Sequence, residues 1–579
     1  MSKEKVMAIL EEGAAALEIL EDTGFKKVAW RNAARALDDC EGDFGNLLAQ
    51  GKLTSIKGIG ASLAQMLTTI AATGSHPEIA AAKAKLPPGL LDILKVEGVG
   101  PKKLQQLWML HGINSMAQLK AAAESGRLKT FKGFGAKTAD KIHASILFIE
   151  QQKGKLLITA ARALAATLTS AIAGMDESLE IESTGELARN CEVVNAIGLR
   201  VIGDEVEGLS EELLGAINPT GDVQFDETTL RFSVDGTPVT IELAARAELA
   251  TPEFIVRKIV QDSAPTHLAR LNKIAQARGL ALTPVALKDS AGKELAITSE
   301  QDFYQRLGLP FIPPALREDV VEFTLAEKNA VPPSLTFRDL IGCVHNHTTA
   351  SDGRHTLEQM VAAARALGLH YYGIADHSPL AAYARGLSPD TLLRQTEDID
   401  GLNRRLALEG VKFQVFKGTE SDIREDGSLD YEDWVLQRLD YVVASIHSRF
   451  NLGREEQTQR IIRAIEHPAT CVLGHMTGRL LLERAGYDID RRAVFEAAAA
   501  HRVAIEFNCH PQRLDADWRH LHEVVALGGK VIISADAHSI SDLEYLKLGV
   551  EVINKAGLSK QDILNCLPAD ELLAHFKRK

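Results

Sequence analysis

The sequence predicts a multidomain protein with a helical front, a mixed α+β middle and a C-terminal (β/α)7 barrel. Three observations carry this. Residues 1–150 keep a helical spacing of apolar side chains, punctuated by glycine pairs. From Leu179, β-branched alternation takes over in LEIESTG, EVVNAIGLRVIG, LRFSVDG and TPVTIELAA, followed by a helical stretch from Thr251 to about Leu307. From Phe337, apolar runs alternate with helical stretches to the end, the pattern of parallel strands with crossover helices. At roughly 100–200 residues per domain, 579 residues imply about three to five domains.

Composition narrows the class. With 25% charged and 45% apolar residues the chain is ordinary globular protein, neither disordered nor collagen-like. No run reaches the roughly 18 apolar residues of a membrane span. The start, MSKEKVMAILEEG, is charged and helical, so neither a secretory leader nor a membrane is expected. Six cysteines without a C-x-x-C point to a reducing cytoplasm. A net charge of −13 argues against coating DNA at random. That average hides a local bias. Residues 51–150 carry thirteen basic against six acidic side chains, a net +7, which leaves −20 for the rest. Histidine is skewed the other way, with 14 of 18 from His345 onward.

The front has three segments of one form: SIKGIGASLAQML (55–67), VEGVGPKKLQQLW (96–108) and FKGFGAKTADKI (131–142). Each runs from an apolar lead through Gly-x-Gly into a helix. The glycine pairs are Gly58 and Gly60, Gly98 and Gly100, and Gly133 and Gly135. Glycine permits the tight turn, and the helix that follows starts with unpaired N–H groups and a positive dipole end. Together they suit a backbone phosphate whatever the base. Lys102, Lys103, Lys132 and Lys137 stand beside them as counter-charge. One such turn would be a mere helix connection; three in a +7 segment predict DNA binding. These segments look like helix–hairpin–helix motifs. With FKKVAWRNAARAL (25–37), their order resembles the N-terminal and fingers domains of family X DNA polymerases.

That resemblance implies a nucleotidyltransferase palm next. Its chemistry needs three carboxylates holding two Mg²⁺ ions about 3.5–4 Å apart. The family pattern G-S-x-R-R-x-x-E-x-x-x-D-x-D is best matched by GELARNCEVVNAIG (185–198), where Gly185, Arg189 and Glu192 fit. The serine is Glu186, the first arginine Ala188, and the paired aspartates Ala196 and Gly198. The third aspartate is replaced by Glu242. Ala and Gly cannot coordinate a cation, so the palm is expected as a scaffold without polymerase chemistry. SAPTHLARLNKIAQARGL (263–280) looks like the family's thumb, with His267 and Arg270 at matching positions. The prolines at 310, 313, 314, 332 and 333 mark a linker.

In the back, seven apolar runs read as parallel strands, and six end in a metal-binding residue. His345 and His347 close the first, followed by Asp352. His377, Glu420, His447 and His475 follow later strands, and Asp536 and His538 close the last. The run VAIEFNCHPQRLD offers no obvious ligand. Strand ends of such a barrel converge on one mouth, so nine ligands predict a multinuclear site. Imidazole and carboxylate together suit Mn²⁺, Zn²⁺ or Fe²⁺, which acidify water and neutralise phosphate oxygens. Arg479 and Arg513 are candidate phosphate clamps.

The set resembles the PHP (polymerase and histidinol phosphatase) domain over about residues 337–575. The resemblance implies three ions in a catalytic centre built on His345, His347, Glu420 and Asp536. Glu420 would bridge to a second ion held by His447 and His475. Asp352, His377 and His538 would hold the third. Overall the chain resembles bacterial family X polymerases that carry a C-terminal PHP domain. Expected parts are two hairpin domains (1–85 and 86–150), a palm (151–248), a thumb (249–315), a linker (316–336) and the PHP barrel (337–579). The expected function is DNA repair as a monomer by 3′→5′ exonuclease action on nicked, gapped or recessed duplex, with abasic-site cleavage as an extension implied by the resemblance. The alternatives are a gap-filling polymerase with an attached exonuclease, and a phosphatase acting on small phosphomonoesters.

Overall fold

A computed structural model describes residues 3–577 apart from 39, 41–43, 207, 218 and 227. The chain divides into two compact units, Met1–Lys153 and Gly154–Lys579.

The first unit is helical. Its buried apolar side chains, from Val6 to Ile146, form one cluster, so the two halves divided at residue 85 share a core. The three glycine segments adopt one geometry three times. A 3₁₀ turn (Leu53–Ser55, Leu91–Lys95, Arg127–Thr130) leads to a buried residue that accepts an N–H from the residue three later. These bonds are Ile59 to Ile56, Val99 to Val96 and Phe134 to Phe131, each 3.0 Å. Gly58, Gly98 and Gly133 have φ of 93°, 87° and 87°, where a side chain would be strained.

The second unit starts with a five-stranded sheet. Its strands are β1 (Glu180–Thr184), β2 (Ile197–Gly203), β3 (Thr220–Asp226), β4 (Thr229–Val234) and β5 (Thr237–Ala245), in the order β1-β2-β5-β4-β3. Only β2 and β5 are parallel. EVVNAIGLRVIG, read as one strand, is two, because the Glu186 carboxylate binds the Asn195 backbone and side chain (both 2.6 Å) and breaks the run. The helical stretch after it is interrupted by a short pair of strands, Ala281–Leu282 and Leu287–Lys288, around the Thr283 turn. Residues 316–327, expected within a linker, instead bury Leu316, Phe323 and Ala326 in the same core as those helices.

The barrel strands are β6 (Gly342–Cys343), β7 (Tyr371–Ile374), β8 (Gln414–Asp422), β9 (Tyr441–Ser445), β10 (Val472–Leu473), β11 (Ala504–Asn508) and β12 (Val531–Ser534). They pair in parallel in sequence order. A parallel bridge from Asn346 to Ala537 joins the first strand end to the last. Alternation then sorts the side chains. Tyr371, Phe416, Tyr441, Val443, Val472, Ala504 and Ile532 form an inner cluster with Phe576. Tyr372, Val442, Ala444, Ile505 and Ile533 pack outward with the helices. Gly342 admits the Tyr371 ring, since a Cβ there would lie 2.3 Å from it; Gly418 does the same for Tyr441. The barrel interior is therefore filled by side chains, and the histidine and carboxylate residues stand at the C-terminal strand ends.

Candidate metal centre

The inner register carries straight into the site. Glu420 on β8 follows Phe416 and Gly418, and His447 follows Val443 and Ser445 beyond β9. His345 and Asp536 have φ of 62° and 51°, left-handed backbone that turns two strand ends inward at a cost on the order of 1 kcal/mol each. All nine residues expected at strand ends meet. They fall into four overlapping groups: His347, Asp352, His377 and His538; His345, His347 and Asp536; His345, Glu420 and His475; and His377, Glu420 and His447.

Glu420 is the hub. Its Oε1 lies 2.9 Å from His475 Nε2, 3.2 Å from His447 Nε2 and 3.3 Å from His345 Nε2. Its Oε2 lies 2.9 Å from His377 Nδ1. Asp536 Oδ1 is 3.1 Å from His347 Nε2, and Asp352 is within 3.5 Å of both His377 and His538. His345 Nε2, His377 Nδ1 and Glu420 Oε2 are fully buried, yet none makes a hydrogen bond among the described residues. Buried donors and acceptors left in that state are costly, and a cation at their shared focus would satisfy them. The residues fit a divalent metal cluster.

The far nitrogens of three imidazoles are held as metal-binding imidazoles require. Glu506 takes His345 Nδ1 at 2.5 Å, Asp422 takes His447 Nδ1 at 3.2 Å, and the Asp536 carbonyl takes His538 Nδ1 at 2.8 Å. Glu506 also accepts the His475 N–H at 2.6 Å and bonds Ser534 Oγ. It stands on β11, the strand expected to offer no metal ligand. The signal was present: Ala504, Glu506 and Asn508 share the inner register, and a carboxylate there needs a partner. Asp376 was missed too. It accepts Thr348 N–H (2.8 Å) and Oγ1 (2.6 Å) and Ser351 Oγ (2.5 Å), fixing the turn that carries Asp352.

Charge follows from this packing. Burial pulls the His377 imidazole down, and Glu420 and Asp352 overcome it, to about 11. The same balance against burial raises His447, beside Glu420 and Asp422, and His538, beside Asp352 and Asp536, each to about 9. Burial and the charges of His538 and His377 push His347 down to about 4. Against burial, the surrounding imidazoles hold Glu420 and Asp536 well below the carboxylate range.

The two arginines expected as clamps part company. Arg479 donates to the Arg513 carbonyl (2.9 Å), to Asp517 (2.8 Å) and to the Leu514 carbonyl. Each of its three nitrogens is bonded to the β11 loop, which ties this guanidinium to the fold rather than leaving it open toward the metal centre as a phosphate clamp would be. Arg513 Nε lies 3.8 Å from Asp536 Oδ2.

At the hairpins, Gly60, Gly100 and Gly135 cap the helices Ala61–Thr73, Pro101–His111 and Ala136–Gln152 in extended conformation, with no side-chain cap. Nothing lies within 4 Å of a Cβ built on any of them. Lys102, Lys132 and Lys137 are exposed beside these ends, whereas Lys103 Nζ is held by the Gly98 carbonyl at 2.9 Å.

Family models match four stretches: a helix-hairpin-helix domain at residues 1–76, a SAM-like helix-hairpin-helix tandem at 90–146, a DNA polymerase beta thumb at 264–318 and a PHP domain at 344–510. The chain carries family X polymerase domains and a C-terminal PHP domain. A DNA polymerase/3'-5' exonuclease PolX of Bacillus subtilis (strain 168) is 29% identical over 100% of both chains. A probable phosphatase of Caldicellulosiruptor saccharolyticus is 34% identical over 28% of this chain and 64% of its own. One from Shewanella sediminis is 29% identical over 41% of this chain and 92% of its own. The helix-hairpin-helix and thumb domains imply DNA as a partner, and PHP domains are metal-dependent. No helix among the described residues is long and apolar enough to cross a membrane.

The palm-like sheet is different at the corresponding positions. A Cβ on Gly198 would fall 2.4 Å from Thr184 Oγ1 and 2.9 Å from its carbonyl oxygen, so β1 occupies the space an aspartate would need. Two residues on, Arg200 is fully buried and pairs with Glu242 Oε2 at 2.7 Å. Arg257 lies 2.7 Å from the other oxygen. Arg189 and Glu192, which fit the nucleotide-binding pattern, face the PHP barrel instead. Arg189 and buried Lys555 share Glu318 (2.9 and 2.6 Å), and Glu192 takes Trp518 Nε1 (2.9 Å) and Arg519 (2.6 Å).

Proposed function

We propose that the chain is a metal-dependent DNA phosphodiesterase that removes nucleotides from 3′ ends in its PHP barrel and does not extend primers. The observation that carries this reading is the contrast in ligands. Nine converge in the barrel, while of the three positions where the expected palm would carry carboxylates the sheet keeps one, Glu242, already bound by two guanidinium groups. Cations would meet fixed positive charge there.

In the barrel, His345, His347, Glu420 and Asp536 are the proposed centre, with His447, His475, Asp352, His377 and His538 completing sites for three Mn²⁺, Zn²⁺ or Fe²⁺ ions. Ions held there supply Lewis acidity toward a phosphodiester and a lowered pKa for water. Glu506 and Asp422 orient the imidazoles. Arg513 is placed to grip a non-bridging phosphate oxygen, its planar donors matching two oxygens at once. The hairpins hold the duplex by its backbone without reading sequence. A nicked, gapped or recessed duplex offers the 3′ end. An abasic site, which exposes the same phosphodiester, is a further substrate of this reading. The proposed parts are a palm (151–248) and the barrel (337–579), a hairpin region in which 1–85 and 86–150 share one core, and a thumb that begins at 249 and runs past 315 to 327.

The barrel's likeness to proteins named probable phosphatases favours a second reading, hydrolysis of small phosphomonoesters. A paired assay separates the two. We expect a labelled recessed duplex to be shortened in Mn²⁺ at a kcat/KM far above that for small phosphoesters, and His345→Ala to lose the activity. Turnover of small esters with intact DNA would favour the phosphatase.

A further inference from the structure

One exposed aromatic side chain stands at the mouth of the metal centre. The loop 378–387 leaves β7 directly after His377 and returns to it, Leu387 N–H donating to the His377 carbonyl at 2.8 Å. The loop is fixed at several points. Leu380 N–H bonds Asp430 (2.6 Å) and Tyr431 hydroxyl bonds the Leu387 carbonyl (2.7 Å). Gly386 is pressed against Ser378, where a Cβ would lie 1.8 Å from the carbonyl oxygen. At the apex of this braced loop Tyr383 is 71% exposed, and Leu380 beside it is 49% exposed. The Tyr383 ring centroid lies 6.2 Å from that of His377 and 6.3 Å from that of His447.

A tyrosine ring held rigidly at the mouth presents a flat π face that a planar ligand can cover. The DNA backbone is polar throughout, and the base is the part with a flat apolar face. A phosphate seated on the His377 and His447 side of the cluster leaves its own nucleoside at this ring. We infer that Tyr383 is the stacking platform for the base of the 3′-terminal nucleotide, making it a substrate-positioning residue of the exonuclease. This rests on the function proposed above. In that reaction water adds to the phosphorus of the terminal nucleotide and the P–O3′ bond breaks. The penultimate 3′ oxygen takes up a proton, and a nucleoside 5′-monophosphate leaves. Stacking is independent of base identity because every base has a π face, and Tyr383 therefore favours any intact terminal base over an abasic end.

The test uses the full chain loaded with Mn²⁺ and a gapped duplex ending in 2-aminopurine across a phosphorothioate linkage that slows cleavage. Stacking on Tyr383 is expected to quench the 2-aminopurine on binding in the wild type and in Tyr383→Phe, but not in Tyr383→Ala. On natural ends, Tyr383→Ala is expected to raise KM about tenfold with kcat nearly unchanged. On an end whose terminal nucleotide lacks its base, the variant and the wild type are expected to match. Equal quenching, or an equal KM on natural ends, in Tyr383→Ala would overturn the inference. Quenching that depends on Tyr383 in a chain with no nuclease activity would leave the stacking site standing and sink the exonuclease reading instead.

Discussion

The palm-like sheet and the PHP barrel treat carboxylates at strand positions in opposite ways. In the barrel, Glu420 and Asp536 keep buried oxygens aimed at a shared focus, ringed by imidazoles whose far nitrogens are braced. In the sheet, Gly198 has no room for a side chain, and Glu242 is closed off by Arg200 and Arg257. On the proposed reading the palm fold outlives its polymerase chemistry, its polar positions having become internal ion pairs. Arg189 and Glu192 are engaged in the same way, Arg189 with the Glu318 that Lys555 of the barrel also binds and Glu192 with Trp518 of the barrel.

The largest effect is expected at the barrel's hub. His345→Ala or Asp536→Ala should abolish shortening of DNA 3′ ends and leave DNA binding by the hairpins unchanged in a gel-shift assay. Full activity in either variant would break the comparison at its stronger side. A smaller loss is expected one layer out: Glu506→Gln should lower metal affinity or activity roughly 10- to 100-fold, measured by metal titration. An unchanged titration would mean that His345 needs no brace.

The charge state of the centre gives a third measurement. In metal-free protein His377, at about 11, and His447 and His538, at about 9, carry protons at neutral pH. A binding ion must displace those protons, so affinity should climb as pH rises from about 6.5 to 9, with proton release visible in calorimetry across buffers. Flat affinity and no released protons would contradict the packing of carboxylate against imidazole described here. The smallest effect is on the palm. Ala196→Asp with Gly198→Asp should not restore primer extension, and overpacking against Thr184 should cost about 1–3 kcal/mol in a denaturant melt. Extension gained by that pair would show that the lost carboxylates alone silenced the sheet.

Much of this was legible in the chain itself. Six of seven barrel strands ended in ligands whose spacing was plain, because strand alternation is the same in sequence and in space. The three hairpins repeated their glycines, and the structure repeats their φ angles. The exposed edge strand Thr220–Asp226 gave no signal, since nothing packs on it to impose alternation. Arg479 and Arg513 looked alike because a guanidinium's partners lie in loops, here the β11 loop, that sequence does not locate. Glu506 and Arg200 were missed for one reason: each is a charge in an apolar strand, and the search was for ligands at strand ends rather than for their braces.

The central claim is that hydrolysis survives in the barrel while synthesis is gone from the palm. One assay tests it directly: purified chain, Mn²⁺ and a labelled gapped duplex, with and without deoxynucleoside triphosphates. The account predicts the same ladder of shortened products in both lanes and none longer than the primer. Templated extension that persists in Asp536→Ala and stops in Glu242→Gln would contradict it.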